Sequence, residues 1–122
     1  EVPMAAKMVN EMGVITISDQ VITTIASNAA MQTYGIVGLA YKNAKDGLLI
    51  MLKKDNMSKG VTITTQENRI TIDLTVVLEY GVRIAVVCEN IIEPVRFNVE
   101  NQTGLIVDEI NVLVQDMRMQ NV

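Results

Sequence analysis

The strongest hydrophobic pattern in the chain has a period of two. Ile70, Ile72, Leu74, Val76, Leu78 and Tyr80 alternate with Thr71, Asp73, Thr75, Val77 and Glu79. This predicts a strand with one face on a core and the other mostly wet. Val61 to Thr65 precedes it across Gln66-Glu67-Asn68-Arg69, so the two read as an antiparallel hairpin. After Gly81 the period changes. Ile84, Cys88, Ile91, Val95 and Val99 recur at three and four, the spacing of a long amphipathic helix that Thr103-Gly104 stops. Pro94 lies in its interior, which predicts a kink or break near Asn90. Leu105 to Met119 returns to strand, with Ile110, Val112 and Val114 alternating against Asn111, Leu113 and Gln115.

The first half is shorter in its elements. Gly13 to Ser18 reads as a strand, and Ser18 or Asp19 offers a cap for a helix whose apolar residues are Ile22, Ile25, Ala26 and Ala29. Gly35 is the expected left-handed end of that helix. Ile36 to Lys42 and Leu48 to Lys53 are apolar runs separated by the turn-rich Asn43 to Gly47. Leu48 to Leu52 is apolar at every position, so periodicity leaves strand and helix turn both open. The order is β-α-β-(β)-β-β-α-β. It predicts an α+β fold, a mixed, largely antiparallel sheet with two helices packed on one face. Residues 13–119 form the expected single domain, with 1–12 set aside as an N-terminal tail and 120–122 as a C-terminal one.

Composition narrows the chemistry. The chain has 122 residues, is 49% hydrophobic and only 3% aromatic, so its core is aliphatic and rich in β-branched side chains. It has no His and a single Cys. This removes the commonest general base, an internal disulfide and cysteine-rich zinc sites. Asp, Glu, Lys, Tyr, Ser, Thr and Cys88 remain, in no recognised catalytic motif, and no GxGxxG or Walker pattern occurs. The expectation is a protein with no catalytic residues, no cofactor and no metal.

The net charge of −4 argues against nucleic-acid binding, which needs a basic field. That charge is unevenly spread. Lys42, Lys45, Lys53, Lys54 and Lys59 face only Asp46 and Asp55 between residues 42 and 59, a local +3 on a body of −7. Such a segment is either a solvated loop or a contact for an acidic partner. The longest continuous apolar stretch, Tyr34 to Tyr41, is far below the ~18 residues that span a bilayer. The expected location is cytoplasmic, without direct membrane insertion.

Several blocks then converge. Gly13-Val-Ile-Thr-Ile-Ser18 with Val21-Ile22 and Ile25-Ala26, Tyr34-Gly-Ile-Val-Gly38, Lys59-Gly-Val61, Ile72-Asp73, Glu79-Tyr-Gly81, Val99-Glu100, Thr103-Gly104-Leu105, Ile110-Asn111-Val112 and Val114-Gln115 stand in an order and spacing that resembles the alkaline shock protein family. These are envelope-stress proteins of Gram-positive bacteria, and the resemblance is to their small single-domain, YloU-like members. It covers about Gly13 to Met117. It implies a non-enzymatic cytoplasmic adaptor or assembly protein in envelope stress or homeostasis, membrane-associated through an anchored protein partner and able to form a homo-oligomer. The alternative it implies is a regulatory or ligand-binding module working with a DhaL-type fatty-acid kinase component. Pro94 departs from the family's pattern, where a helix former is usual, and residues 1–122 carry no counterpart of the extended charged termini of the larger members.

Within these motifs, Gly13, Gly35, Gly60, Gly81 and Gly104 fall at element boundaries and read as architectural. Thr103, Tyr80 and Asn111 belong to the same structural set. Asp73, between Thr71 and Thr75, reads as a solvated position or half of a cross-strand pair with a lysine, since one carboxylate without a second acid or base is a poor catalyst. Cys88 sits on the apolar stripe of the second helix as a small hydrophobe. A pocket under the small-residue face of the first helix would suit an acyl ligand. An enzyme would need Asp73, Lys59 and Cys88 to converge in one cleft.

Overall fold

The computed structural model describes residues 5–40 and 60–119. Its organising element is β5 (Arg69–Glu79), the strand with the period of two. β4 (Val61–Gln66) pairs antiparallel with its first half, Val61 against Leu74 and Ile63 against Ile72. β3 (Ile36–Leu39) pairs antiparallel with its second half, Ile36 against Leu78 and Leu39 against Val76. β3 and β4 therefore lie end to end along one edge of β5. β6 (Ile106–Arg118) runs parallel to β5 along the whole of the other edge. A parallel neighbour needs a long crossover. α2 (Ile84–Thr103) supplies it.

Both helices cover the sheet face carrying Ile70, Ile72, Leu74, Val76 and Leu78, all fully or almost fully buried. α1 (Asp19–Met31) contributes Ile22, Ala26, Ala29 and Ala30, and α2 contributes Val87, Ile91, Val95 and Val99. The small side chains of α1 let it approach its neighbours closely. The α+β architecture, with a mixed sheet and two helices on one face, is as the sequence predicts.

The departures have physical reasons. Residues set aside as a tail include β1 (Ala5–Asn10), which forms an antiparallel hairpin with β2 (Gly13–Ser18). This two-stranded sheet is separate from the main one, and the Lys7 N–H ties it to the β4–β5 turn by donating to Glu67 O at 3.0 Å. α1 ends at Met31, four residues before Gly35. Gln32 caps it in right-handed conformation, and the chain leaves through short turns, with Thr33 N–H donating to Ala30 O and Ile36 N–H to Thr33 O. Gly35, at φ +93°, serves the turn into β3 instead. Ser18 is the N-cap residue by backbone conformation, but its side chain makes no capping hydrogen bond.

α2 runs unbroken through Pro94. Asn90, whose carbonyl loses its helical amide donor to the proline, is exposed, and water satisfies an exposed acceptor at little cost. The buried stripe of α2 also starts one position away from the expected one. Val87 is buried, whereas Ile84 is exposed and Cys88 is half-buried. Finally, the far face of β5 is half-open at Thr71, Asp73 and Glu79 but closed between them, because Thr75 and Val77 are buried.

Candidate interaction surface

The five lysines Lys42, Lys45, Lys53, Lys54 and Lys59 lie outside the described residues, as does the apolar run from Leu48 to Leu52. The other candidate residues separate into scaffold and surface. Gly13, Gly35, Gly81 and Gly104 take positive φ at element ends. Gly104 closes α2, its N–H donating to Glu100 O at 2.9 Å. Beside it the buried Thr103 hydroxyl donates to Val99 O at 2.6 Å and accepts from Leu105 N–H at 3.1 Å. This one side chain joins the last turn of α2 to the entry of β6. Replacing Thr103 by valine strands the Leu105 amide and is expected to cost about 1–2 kcal/mol of stability by denaturant melt, with serine costing less.

Asp73 and Asn111 come together on the face of the sheet away from the helices. They are register partners across the parallel β5–β6 pair, and Asn111 Nδ2 donates to Asp73 Oδ1 at 2.9 Å. The expected cross-strand partner is thus an amide, not a lysine. A shallow cleft of about 220 Å³ beside them is lined by Thr75 and Leu113 among others. Cys88 belongs to α2, on the opposite side of the sheet, so it does not meet Asp73. Burial pushes its thiol above the usual range and lowers the thiolate fraction at neutral pH. Alkylation of Cys88 in the folded protein is expected to run slower than in a free model thiol and to rise at higher pH than for that thiol. A rate matching the model thiol contradicts the burial.

Burial also raises the Asp19 carboxyl at the start of α1, where Oδ1 has no hydrogen-bond partner. A raised folded-state value means the folded form holds the proton more tightly. This site therefore favours folding as pH falls through the carboxylate range and opposes it as pH rises.

One grouping was not visible in the sequence. The Glu79 N–H donates to Gly35 O and the Tyr80 N–H to Arg118 O, both at 2.8 Å. These bonds bring the start of β3, the end of β5 and the end of β6 to one end of the domain. Tyr34 is 82% exposed there and Tyr80 68%, and Met119 is exposed beside Arg118 in the chain. Exposed tyrosines next to apolar side chains are typical of recognition surfaces. Their shared location depends on the strand pairing of distant segments, so the only sequence signal was that both tyrosines precede motif glycines.

Among the described residues, no group of three or more Cys, Asp or Glu could hold a metal ion, and no helix is long and apolar enough to cross a membrane. The fold is an α+β domain that displays Tyr34, Tyr80 and Met119 at one end of its sheet. The chain belongs to the alkaline shock protein family, described as having a cell envelope-related function, whose model it matches over residues 7–119. It is 40% identical to the uncharacterized protein YloU of Bacillus subtilis, with 97% of this chain and 99% of that one covered. It is likewise 40% identical to the uncharacterized protein Spy1614 of Streptococcus pyogenes, over 95% of this chain and 97% of the relative. A stress response regulator gls24 homolog of Streptococcus pyogenes is 28% identical over 87% of this chain and 59% of its own length. No solved structure matches.

Proposed function

We propose that the chain is a non-enzymatic adaptor or assembly protein of the envelope stress response, held at the cytoplasmic face of the envelope by a membrane-anchored protein partner. The observation that carries this reading is the sheet end bearing Tyr34, Tyr80 and Met119, an exposed aromatic and apolar surface built from three strands. The family's cell envelope-related description and the stress-regulator name of one relative support the setting. The separation of Asp73 from Cys88 by the thickness of the sheet supports an adaptor over an enzyme. The local +3 charge of residues 42–59 suits an acidic face on the partner.

The test places a photo-crosslinking amino acid at Tyr80 in the native cell and follows the chain between membrane and soluble fractions. A single membrane-anchored protein should be crosslinked, and Tyr34→Ser with Tyr80→Ser should release the chain from the membrane fraction. Both positions are exposed, so the fold should hold to within about 0.5 kcal/mol. A chain that stays soluble and uncrosslinked in the wild type overturns the reading.

A further inference from the structure

Among the described residues, no strand pairs with the outer edge of β6, a 13-residue strand. Only at its start are main-chain groups taken by side chains of α2, the Val107 N–H donating to Glu100 Oε2 at 2.9 Å and Val107 O accepting from Arg96 Nη1 at 2.7 Å. A long open edge is a template for another strand. Charged side chains normally blunt such an edge, and β6 carries Asp108, Glu109, Asp116 and Arg118. It also carries two bulges against β5, where the register skips Asp108 and Gln115. The positions of these charges and bulges make the edge complementary to itself in one register.

An antiparallel pair of identical strands has its two-fold axis perpendicular to the sheet, so facing residues share a face. With the axis at Leu113, that residue faces its own copy and Val112 faces Val114. Beyond the bulge at Gln115, Ile110 then faces Met117 and Glu109 faces Arg118. Leu113 is 47% exposed in the single chain, on the face away from the helices. Neighbouring registers fail. An axis at Val112 sets Asn111 against Leu113 and Glu109 near Asp116, and an axis at Asn111 sets Glu109 against Leu113.

The charges needed for the matched register are available. Asp108 is engaged by Arg69, whose Nε donates to Oδ2 at 3.1 Å. Glu109 makes no comparable bond among the described residues. Arg118 reaches Asp116 only at 3.4 Å through Nε, which leaves the rest of its guanidinium free to fork towards a second carboxylate.

We propose that a second copy of this chain docks antiparallel along β6 about a two-fold axis at Leu113, with Glu109 and Arg118 selecting the register. The pairing extends each sheet through main-chain hydrogen bonds and places both helix layers on the same side. It rests on the assembly half of the proposed function and gives that assembly a specific contact.

Sedimentation velocity and light scattering of the purified chain test it, with circular dichroism confirming that each variant is folded. The wild type should dimerise. Glu109→Arg alone and Arg118→Glu alone each create two like-charge pairs and should weaken the dimer about tenfold. The double variant, and an equimolar mixture of the two single variants, should recover it. Leu113→Lys should also abolish it. A wild type that stays monomeric across concentrations, or a dimer indifferent to these charge reversals, overturns the proposal. A monomeric chain that still crosslinks to its membrane partner defeats this inference and leaves the adaptor reading standing. A dimer that crosslinks to nothing does the reverse.

Discussion

Replacing Gly60 with valine is expected to destabilise the domain by about 3 kcal/mol, read as a lower denaturant midpoint at unchanged slope. Gly60 leads into β4 where β4 meets the end of β3. A Cβ built there would lie 2.7 Å from Leu39 Cβ, 3.1 Å from the Ala40 carbonyl oxygen and 3.3 Å from the Ala40 nitrogen. Leu39 and Ala40 are fully buried, and the Ala40 N–H donates to Thr75 O at 3.1 Å. The obstacle is therefore a Cβ and a main-chain segment already bonded to β5, and neither can rotate away. Alanine at 60 should cost most of the same penalty, and shortening Leu39 to alanine should not rescue it because the colliding atom remains. Full stability in Gly60→Val would show that β3 and β4 do not abut.

This contact also shows where the sequence was and was not readable. β5, the β4–β5 hairpin and β6 were legible because apolar side chains alternate along each and that period reports the core-facing side directly. The end of α2 was legible because Gly104 and Thr103 are local chemistry acting within four residues. The abutment at Gly60 was not, since it joins residues 39 and 60 across a segment of chain whose length hides the contact. β1 was missed because Ala5 to Asn10 shows no alternation of its own and is held by β2 and one bond to Glu67. The register error in α2 arose at Ile84, Val86, Val87 and Cys88, where apolar residues surround the helix and period alone cannot choose a face. Gly35, at φ +93° with Val87 Cγ2 3.0 Å from where its Cβ would be, marks the face that is actually covered.

Of the candidate site, Asp73 and Asn111 were each readable as motif residues. Their hydrogen bond was not, because it requires β5 and β6 to be parallel neighbours in the observed register. The same holds for the tyrosine-bearing end. Local patterns name the residues that matter, while pairing between distant strands decides which of them share a surface.

The two faces of α2 should separate fold from surface most sharply. Ile91→Ala removes a fully buried side chain from the layer that packs on Ile72 and its neighbours in the core. It is expected to cost about 2–5 kcal/mol, the transfer energy of the lost methylenes plus the cavity left in a tightly packed aliphatic core. Among the described residues the core cluster holds no aromatic side chain that could swing into that space, and the chain has one Phe and no Trp. That single Phe, Phe97, lies on the same helix at 65% exposure, and Phe97→Ala should change stability by no more than about 0.5 kcal/mol. Equal losses for the two variants would mean that the helix is rotated from the position described. A large loss for Ile91→Ala with none for Phe97→Ala fixes the buried seam at Val87, Ile91, Val95 and Val99. It also leaves Phe97 free to be tested in the cell as a contact residue, without its effects being confounded by unfolding.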